Sequence, residues 1–342
     1  MAYTTINKSS LHMNTVTYVA NGSTNAQTGV GFQPDWIITK SRTSAYGANV
    51  YNSLSGVTKF FNGITTGVIG SSTDKIASFD SDGFTLKGGD NSNYNSGGTG
   101  VGWSWKANGG SGASNTNGTI TSTVSANTTA GMSIATWSGT GSNASIGHGL
   151  GGVDCMIIKN TNTSRDWYFW QKTMAYNTRL ELNNTEAFTT NTDNMTALPD
   201  ATKINMGVST QNNGSSQDYV GFFFQEKKGY NKFGSYKGNG NSSNGTFVYT
   251  GFAPTFVLIK NVTGDQWLIK DNKRPGYNPN NTLYANLNNT EDTSSSVYTD
   301  FLSNGFKLRG NYGGQNTSNV EYVYMAFGQS IVGTNNVPNN AR

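Results

Sequence analysis

A chain of 342 residues with 12% charged side chains, a formal charge of +4 and a single cysteine is long enough for two or three cores and excludes several classes at once. Its 23 Lys and Arg are scattered singly, so no basic run or basic–aromatic stripe points to nucleic acid. One cysteine forms no disulfide within the chain, and no apolar run approaches the ~18 residues of a membrane span. Asn, Ser, Thr and Gly supply the polarity and 12% aromatic residues supply core material, which together describe a folded, loop-rich chain.

Residues 1–16 are polar and aperiodic and carry no recognisable signal peptide; they read as an attachment arm that something else must order. Three units follow. Each opens on an aromatic (Tyr18, Trp137, Tyr236) with a glycine turn four residues on (Gly22, Gly141, Gly240). Each then runs into a short apolar stretch that stops on a lysine: GFQPDWIITK ending at Lys40, GLGGVDCMIIK at Lys159 and GFAPTFVLIK at Lys260. These stretches are apolar on both parities, so the strands should be covered on both faces, with the lysine keeping its ammonium in water. The lysine trails the opening aromatic by 22, 22 and 24 residues, and a valine follows it by 61, 61 and 63 (Val101, Val220, Val323). Offsets held so closely three times mark an internal repeat.

The valine opens a closing strand, VGWSW, VGFFF or VYMAF, with a large aromatic four residues on (Trp105, Phe224, Phe327). In the first unit Val101, Trp103 and Trp105 alternate with Gly102, Ser104 and Lys106, the pattern of a half-buried antiparallel strand. SDGFTL (81–86) and SNGFKL (303–308) carry hairpin turn chemistry, and KINMGV stands in their place in the middle unit. With no sustained helical period, the expected fold is all-β: tandem antiparallel, jelly-roll-like β-sandwich repeats with long Gly/Asn-rich loops. The repeats span 17–106, 129–226 and 227–329, with a linker and entry strand at 107–128 and a polar tail at 330–342.

Chemistry-bearing constellations are few. Asp80-Ser-Asp82-Gly83 begins like a calcium loop but lacks the further oxygen ligands and distal Glu, and the third unit has Leu302-Ser-Asn304-Gly305 there. Gly147-His-Gly149-Leu-Gly-Gly152 matches a dinucleotide fingerprint by letter but enters a strand instead of opening a helix. His12 and His148 are the only histidines, and Cys155 inside its apolar run reads as a buried thiol. A glycosidase needs two placed carboxylates; Asp80 with Asp82 or Glu181 with Glu186 are the candidates, read more simply as turn and surface residues. The reading is therefore not an enzyme, with no cofactor and no metal. The candidate ligand contacts are loop tyrosines: Tyr94 in GGDNSNYNSGG and Tyr312 in RGNYGGQN, each just before a closing strand, then Tyr46 and Tyr277. An exposed Tyr flanked by amides offers a stacking face for sugar rings.

The set GFQPDWIITK, SDGFTL, the closing aromatic strand, STVSANTTAGMSI and KFGSYKGNG with FVYTGFAP resembles a repeat family common in marine bacteriophage genomes, usually labelled tail fibre or virion structural protein. The resemblance runs from about Tyr3 to the final Asn-Ala-Arg, and its motifs are structural, so it transfers no catalytic or binding residues. It implies a non-enzymatic virion protein, made in the host cytoplasm and placed in a tail fibre, tail tip or head surface. Such a protein would mount on other virion proteins through the N-terminal arm. It would form a homo-oligomer, a trimer if it belongs to a tail fibre, and could present loops to a host surface glycan, without nucleic-acid binding or membrane insertion. The alternatives are a free lectin-like carbohydrate-binding protein and, third, a glycan depolymerase.

Overall fold

The computed structural model describes residues 4–110, 112–274, 278 and 280–332; Tyr277 and most of the tail expected at 330–342 lie outside them. The fold is all-β, as expected. Each unit builds one main antiparallel sheet in the same lateral order: opening strand, closing strand, motif strand and two further strands. In the first unit these are Met13–Val19, Thr99–Trp105, Trp36–Ser41, Asn49–Asn52 and Lys59–Asn62. The second unit uses Met132–Ser138, Asp218–Phe224, Cys155–Asn160, Tyr168–Gln171 and Thr178–Glu181. The third uses Asn231–Lys237, Glu321–Gln329, Ala253–Asn261, Trp267–Asp271 and Leu283–Tyr284. Registers coincide: Lys40, Lys159 and Lys260 pair with Val101, Val220 and Val323, while Trp36, Cys155 and Phe256 pair with Trp105, Phe224 and Phe327.

A smaller sheet covers the outer face of each main sheet. Its inner strand is Gly83–Leu86, Lys203–Met206 or Gly305–Leu308, so the drifted KINMGV segment keeps its place. It pairs with Asn25–Gln27, Ala144–Gly147 or Phe247–Tyr249. The two expected hairpins form, with Asp80 opposite Gly83 and Leu302 opposite Gly305. Within the linker, Ala113–Asn115 pairs with Ser122–Asn127 and extends the second unit's main sheet.

Each main sheet is thus a wall between two cores. In the first unit Ile37, Tyr51, Phe84 and Leu86 fill the sandwich, while Trp36, Ile38, Trp103 and Trp105 face a core common to all three units. This corrects the half-buried reading of the first closing strand: Gly102 and Ser104 are buried as well. A Cβ at Gly102 would stand 2.6 Å from the Phe84 ring, so only glycine admits that approach of the two sheets.

The common core has a pseudo-threefold plan. Ile38, Ile157 and Leu258, with Ile64, Leu182 and Ala285, surround an apolar void of about 10 Å³. Next to them Trp36 stacks on Phe222 at 4.6 Å, Trp105 meets Phe256 at 5.2 Å and Phe327 at 5.9 Å, and Phe224 meets Phe327 at 5.7 Å. Three equivalent backbone hydrogen bonds close the ring between units: Ile69 N to Thr161 O at 3.0 Å, Phe188 N to Val262 O at 3.0 Å and Glu291 N to Arg42 O at 2.8 Å.

The motif lysines lie at equivalent strand ends, but their ammonium groups are not in water. All three residues are fully buried. Lys40 Nζ donates to Leu287 O of the third unit at 2.6 Å, Lys159 Nζ to Thr66 O of the first at 2.9 Å and Lys260 Nζ to Asn184 O of the second at 3.5 Å. Each also donates to a carbonyl of its own following loop: Tyr46, Arg165 and Asp265 respectively. The ammonium remains at the strand end because carbonyls replace its water. Burial lowers each lysine to about 8.

The N-terminal boundary needs correction too. Residues 13–16 belong to the opening strand, and Ile6 and Met13 are buried in the common core. Ser9 donates from its backbone N at 2.8 Å and its Oγ at 3.1 Å to Gln329 Oε1, whose Nε2 donates back to Asn7 O at 3.1 Å. The chain's own last strand thus holds Asn7 and Ser9 through Gln329.

Two predictions follow from the ring. Trp105→Ala should cost roughly 3–5 kcal/mol by leaving a cavity in the common core. Trp105→Phe, which copies the other two units and removes an indole N–H that has no partner, should cost far less; urea denaturation distinguishes them. The second concerns pH. Between about 8 and the unfolded lysine value of 10.5, the unfolded chain holds protons that the folded chain has released. Stability should therefore rise with pH from about 8, until unfolded tyrosines ionise near 10.0 and reverse it. Lys159→Met should reduce the rise between about pH 7.5 and about pH 9.5, read as the shift in urea midpoint.

Candidate ligand cleft between the first and third units

The candidate tyrosines fall in different settings. Tyr94 is 60% exposed and stands edge-on to the half-buried Tyr46, ring centroids 5.9 Å apart, beside an open depression lined by Ser23, Asp74 and Lys87. Tyr312 is half-buried instead of exposed, and its hydroxyl donates to Asp265 Oδ1 at 2.7 Å. Gly314 permits this posture, since a Cβ there would stand 2.5 Å from the Tyr312 ring. Tyr277 lies outside the described residues.

Tyr312 has partners that sequence reasoning did not name. With Tyr284, Gln266, Asn289, Glu291 and Asp292 it lines an open cleft of about 520 Å³, and Ala45 of the first unit forms the opposite lip. The last two strands of the third unit's main sheet pair Tyr284 with Leu268, two residues from Gln266, and the loop that docks on Lys40 and Arg42 carries Asn289, Glu291 and Asp292 to the cleft. One signal was present: Glu291-Asp292 is the sequence's only adjacent pair of acidic residues. Tyr284 OH donates to Asp292 Oδ2 at 2.7 Å, and the two tyrosine rings sit edge to face at 6.5 Å. Burial, with the hydrogen bonds to these aspartates, pushes both hydroxyls above the ordinary tyrosine value and keeps them as donors.

The carboxylates are all engaged. Asp265 Oδ1 also accepts Gln266 N at 2.7 Å, and Asp292 Oδ1 accepts Ser294 N at 2.9 Å and Oγ at 2.6 Å. Burial opposes ionisation of Asp292, but the Ser294 and Tyr284 hydrogen bonds and the Lys270 charge outweigh it and hold its carboxyl below the ordinary value. Glu291 bridges Arg42 at 2.6 Å and Arg274 at 3.3 Å. Behind it Arg274 pairs with Asp271 at 2.6 Å, and the first unit's Trp103 donates Nε1 to the same carboxylate at 3.0 Å. Burial opposes ionisation of Asp271 as well, yet Arg274 and Trp103 carry its carboxyl below the usual range. The cleft therefore presents aromatic surface and amide and carboxylate acceptors whose charge is balanced from behind. That chemistry suits a hydroxyl-rich, uncharged ligand: C–H faces against the rings and hydroxyls to the free lone pairs.

The other candidates serve the fold. Asp82 accepts Gly29 N at 3.0 Å and Gly31 N at 2.6 Å, tying the hairpin turn to the start of the motif stretch, and Asp80 accepts the Thr85 hydroxyl at 2.7 Å. Glu181, expected at the surface, is buried and paired with Arg179 at 2.9 Å, while Glu186 is exposed. His148 is buried and accepts Leu150 N through Nδ1 at 3.1 Å, and Cys155 is buried with its thiol pushed up by burial.

Residues 8–330 match a family described as a domain of unknown function, DUF7483. The chain belongs to this family. No curated protein and no solved structure matches it. The DUF7483 match begins before the first opening strand and ends beyond the last closing strand, so the unit described by the family is the whole three-part ring and not a single sandwich.

Glu291 couples the cleft to the seam. Glu291→Ala should leave the partly buried Arg42 without its carboxylate, while Arg274 keeps Asp271, and destabilise the chain by roughly 2 kcal/mol, measured by urea unfolding. Tyr312→Phe, which removes one hydrogen bond, should cost only about 1 kcal/mol.

Proposed function

We propose that this DUF7483 protein is a non-enzymatic structural component of a bacteriophage particle, placed in a tail fibre, tail tip or head surface, which turns its Gly/Asn-rich loops toward the host. The observation that carries the reading is the ring itself. Its buried lysines and the Arg42–Glu291 ion pair join one unit to the next, so these charged groups are committed to holding the ring together. The motifs that resemble phage virion proteins are the same stretches that build the ring. Three equivalent units in one chain make a platform suited to an axis of threefold symmetry, while Tyr94 and the seam cleft stay open to solvent. Mounting through the N-terminal residues, self-association of rings and contact with a host glycan belong to the same proposal.

A free lectin-like protein is the second reading, favoured by the cleft of two tyrosines and balanced carboxylates. Gradient-purified particles analysed by quantitative mass spectrometry separate the two. The virion reading expects the protein at fixed copy number per particle, and a truncation beginning at Thr4, which keeps the buried Ile6 and the bonds of Asn7 and Ser9 to Gln329, should fold yet mount poorly. Protein found only in the soluble lysate fraction, with glycan binding intact, would replace the virion reading with the lectin one.

A further inference from the structure

We infer that the outer edge of the third unit's small sheet, where Phe247 and Tyr249 lie beside Lys232 and Lys307, is a second contact site and takes an acidic polysaccharide. The inference rests on the host-surface reading above and names the ligand class.

Phe247–Tyr249 is the edge strand of a three-stranded sheet. Val248 points into the sandwich core, so alternation turns its two neighbours outward. Phe247 is 42% and Tyr249 55% exposed, a large apolar surface for two residues that the core does not use. The rings are placed by structure. Phe247 lies over the α-carbon of Gly305, where a Cβ would stand 3.0 Å from its ring. Lys232 donates to Tyr249 O at 2.8 Å and sits 5.3 Å from that ring's centroid.

The charge beside these rings is positive and uncompensated. Lys307 is the cross-strand neighbour of both Phe247 and Asp300, but Asp300 is taken by Arg309 at 2.5 Å. Among the described residues neither Lys232 nor Lys307 pairs with a carboxylate. Two stacking faces beside two lysines that no carboxylate neutralises match a polymer of sugar rings bearing carboxylates. Two rings without a basic run make a poor track for single-stranded nucleic acid, which needs a charged groove along several bases.

The other two units lack this surface. The equivalent first-unit strand is Asn25, Ala26 and Gln27, without an aromatic. The equivalent second-unit strand is covered by the linker: Ile120 bridges Ile146 and donates its N–H to Ser145 O at 2.9 Å. Among these three equivalent edge strands, only that of the third unit carries aromatic rings and is left open.

The test is affinity electrophoresis through gels containing polygalacturonate, or the same polymer with its carboxyls reduced to alcohols. Retardation by the uronate polymer that weakens with salt, and is roughly tenfold weaker in both Phe247→Ser/Tyr249→Ser and Lys232→Gln/Lys307→Gln chains, is expected. These side chains are at the surface, and an unchanged thermal midpoint keeps the comparison to binding. Equal retardation of wild type and variants, equal retardation by the reduced polymer, or tighter binding of a single-stranded oligonucleotide would each overturn the inference. Particle copy number is scored separately. Variants that lose retardation but still mount support this site, whereas wild type that binds the polymer yet is absent from particles defeats the virion reading alone.

Discussion

The constraint on which the rest of the structure depends is that each main sheet must be covered on both faces. One face is covered within the unit by the small sheet, and the other only by the remaining two units. Trp36, Trp105, Phe224, Phe256 and Phe327 are therefore core residues only in the closed ring. A unit alone would expose that face to water, at ~25 cal/mol per Å² of apolar surface left unburied. The three units are one folding entity for this reason, and the family match extends across all of them.

Closing the ring sets a second requirement at the seams. Each motif strand ends where two loops from different units converge, and their carbonyls need donors in a place water does not reach. A lysine supplies several donors from one flexible stem, and its charge is tolerated because carbonyl dipoles surround it. The seams are not identical. Trp167 donates to Thr65 O and Trp267 to Glu181 O, both at 2.9 Å, whereas the first unit has no tryptophan at the corresponding place. At its seam with the third unit stands the Arg42–Glu291–Arg274 cluster instead, and the cleft opens beside it. The candidate site is thus a consequence of broken symmetry: the seam fastened by ion pairs is the one bordered by two tyrosines.

Much of this was readable in residues alone. The spacings from Tyr18, Trp137 and Tyr236 to the motif lysines and on to Val101, Val220 and Val323 identified three equivalent units, because equivalent strands and registers conserve residue counts; which strands pair was not legible in them. Turn chemistry at Asp82-Gly83 and Asn304-Gly305 placed the hairpins. Tyr312 was named from its loop, but its cleft was not: Tyr284, Glu291 and Ala45 come from distant stretches and two units, and no local pattern connects them.

Periodicity and turn residues by themselves determined that the chain is all-β, that it repeats three times, and that Trp105, Phe224 and Phe327 are core positions. Local rules carry that information, since alternation and glycine conformations act over a few residues. Only the tertiary structure decided that the lysines are buried, that Gly102 and Ser104 face a second sheet instead of water, and that residues 4–16 belong to the body. Each of these depends on what arrives from another unit or from the far end of the chain. A sequence states which faces are apolar; which surface covers them is a property of the closed ring.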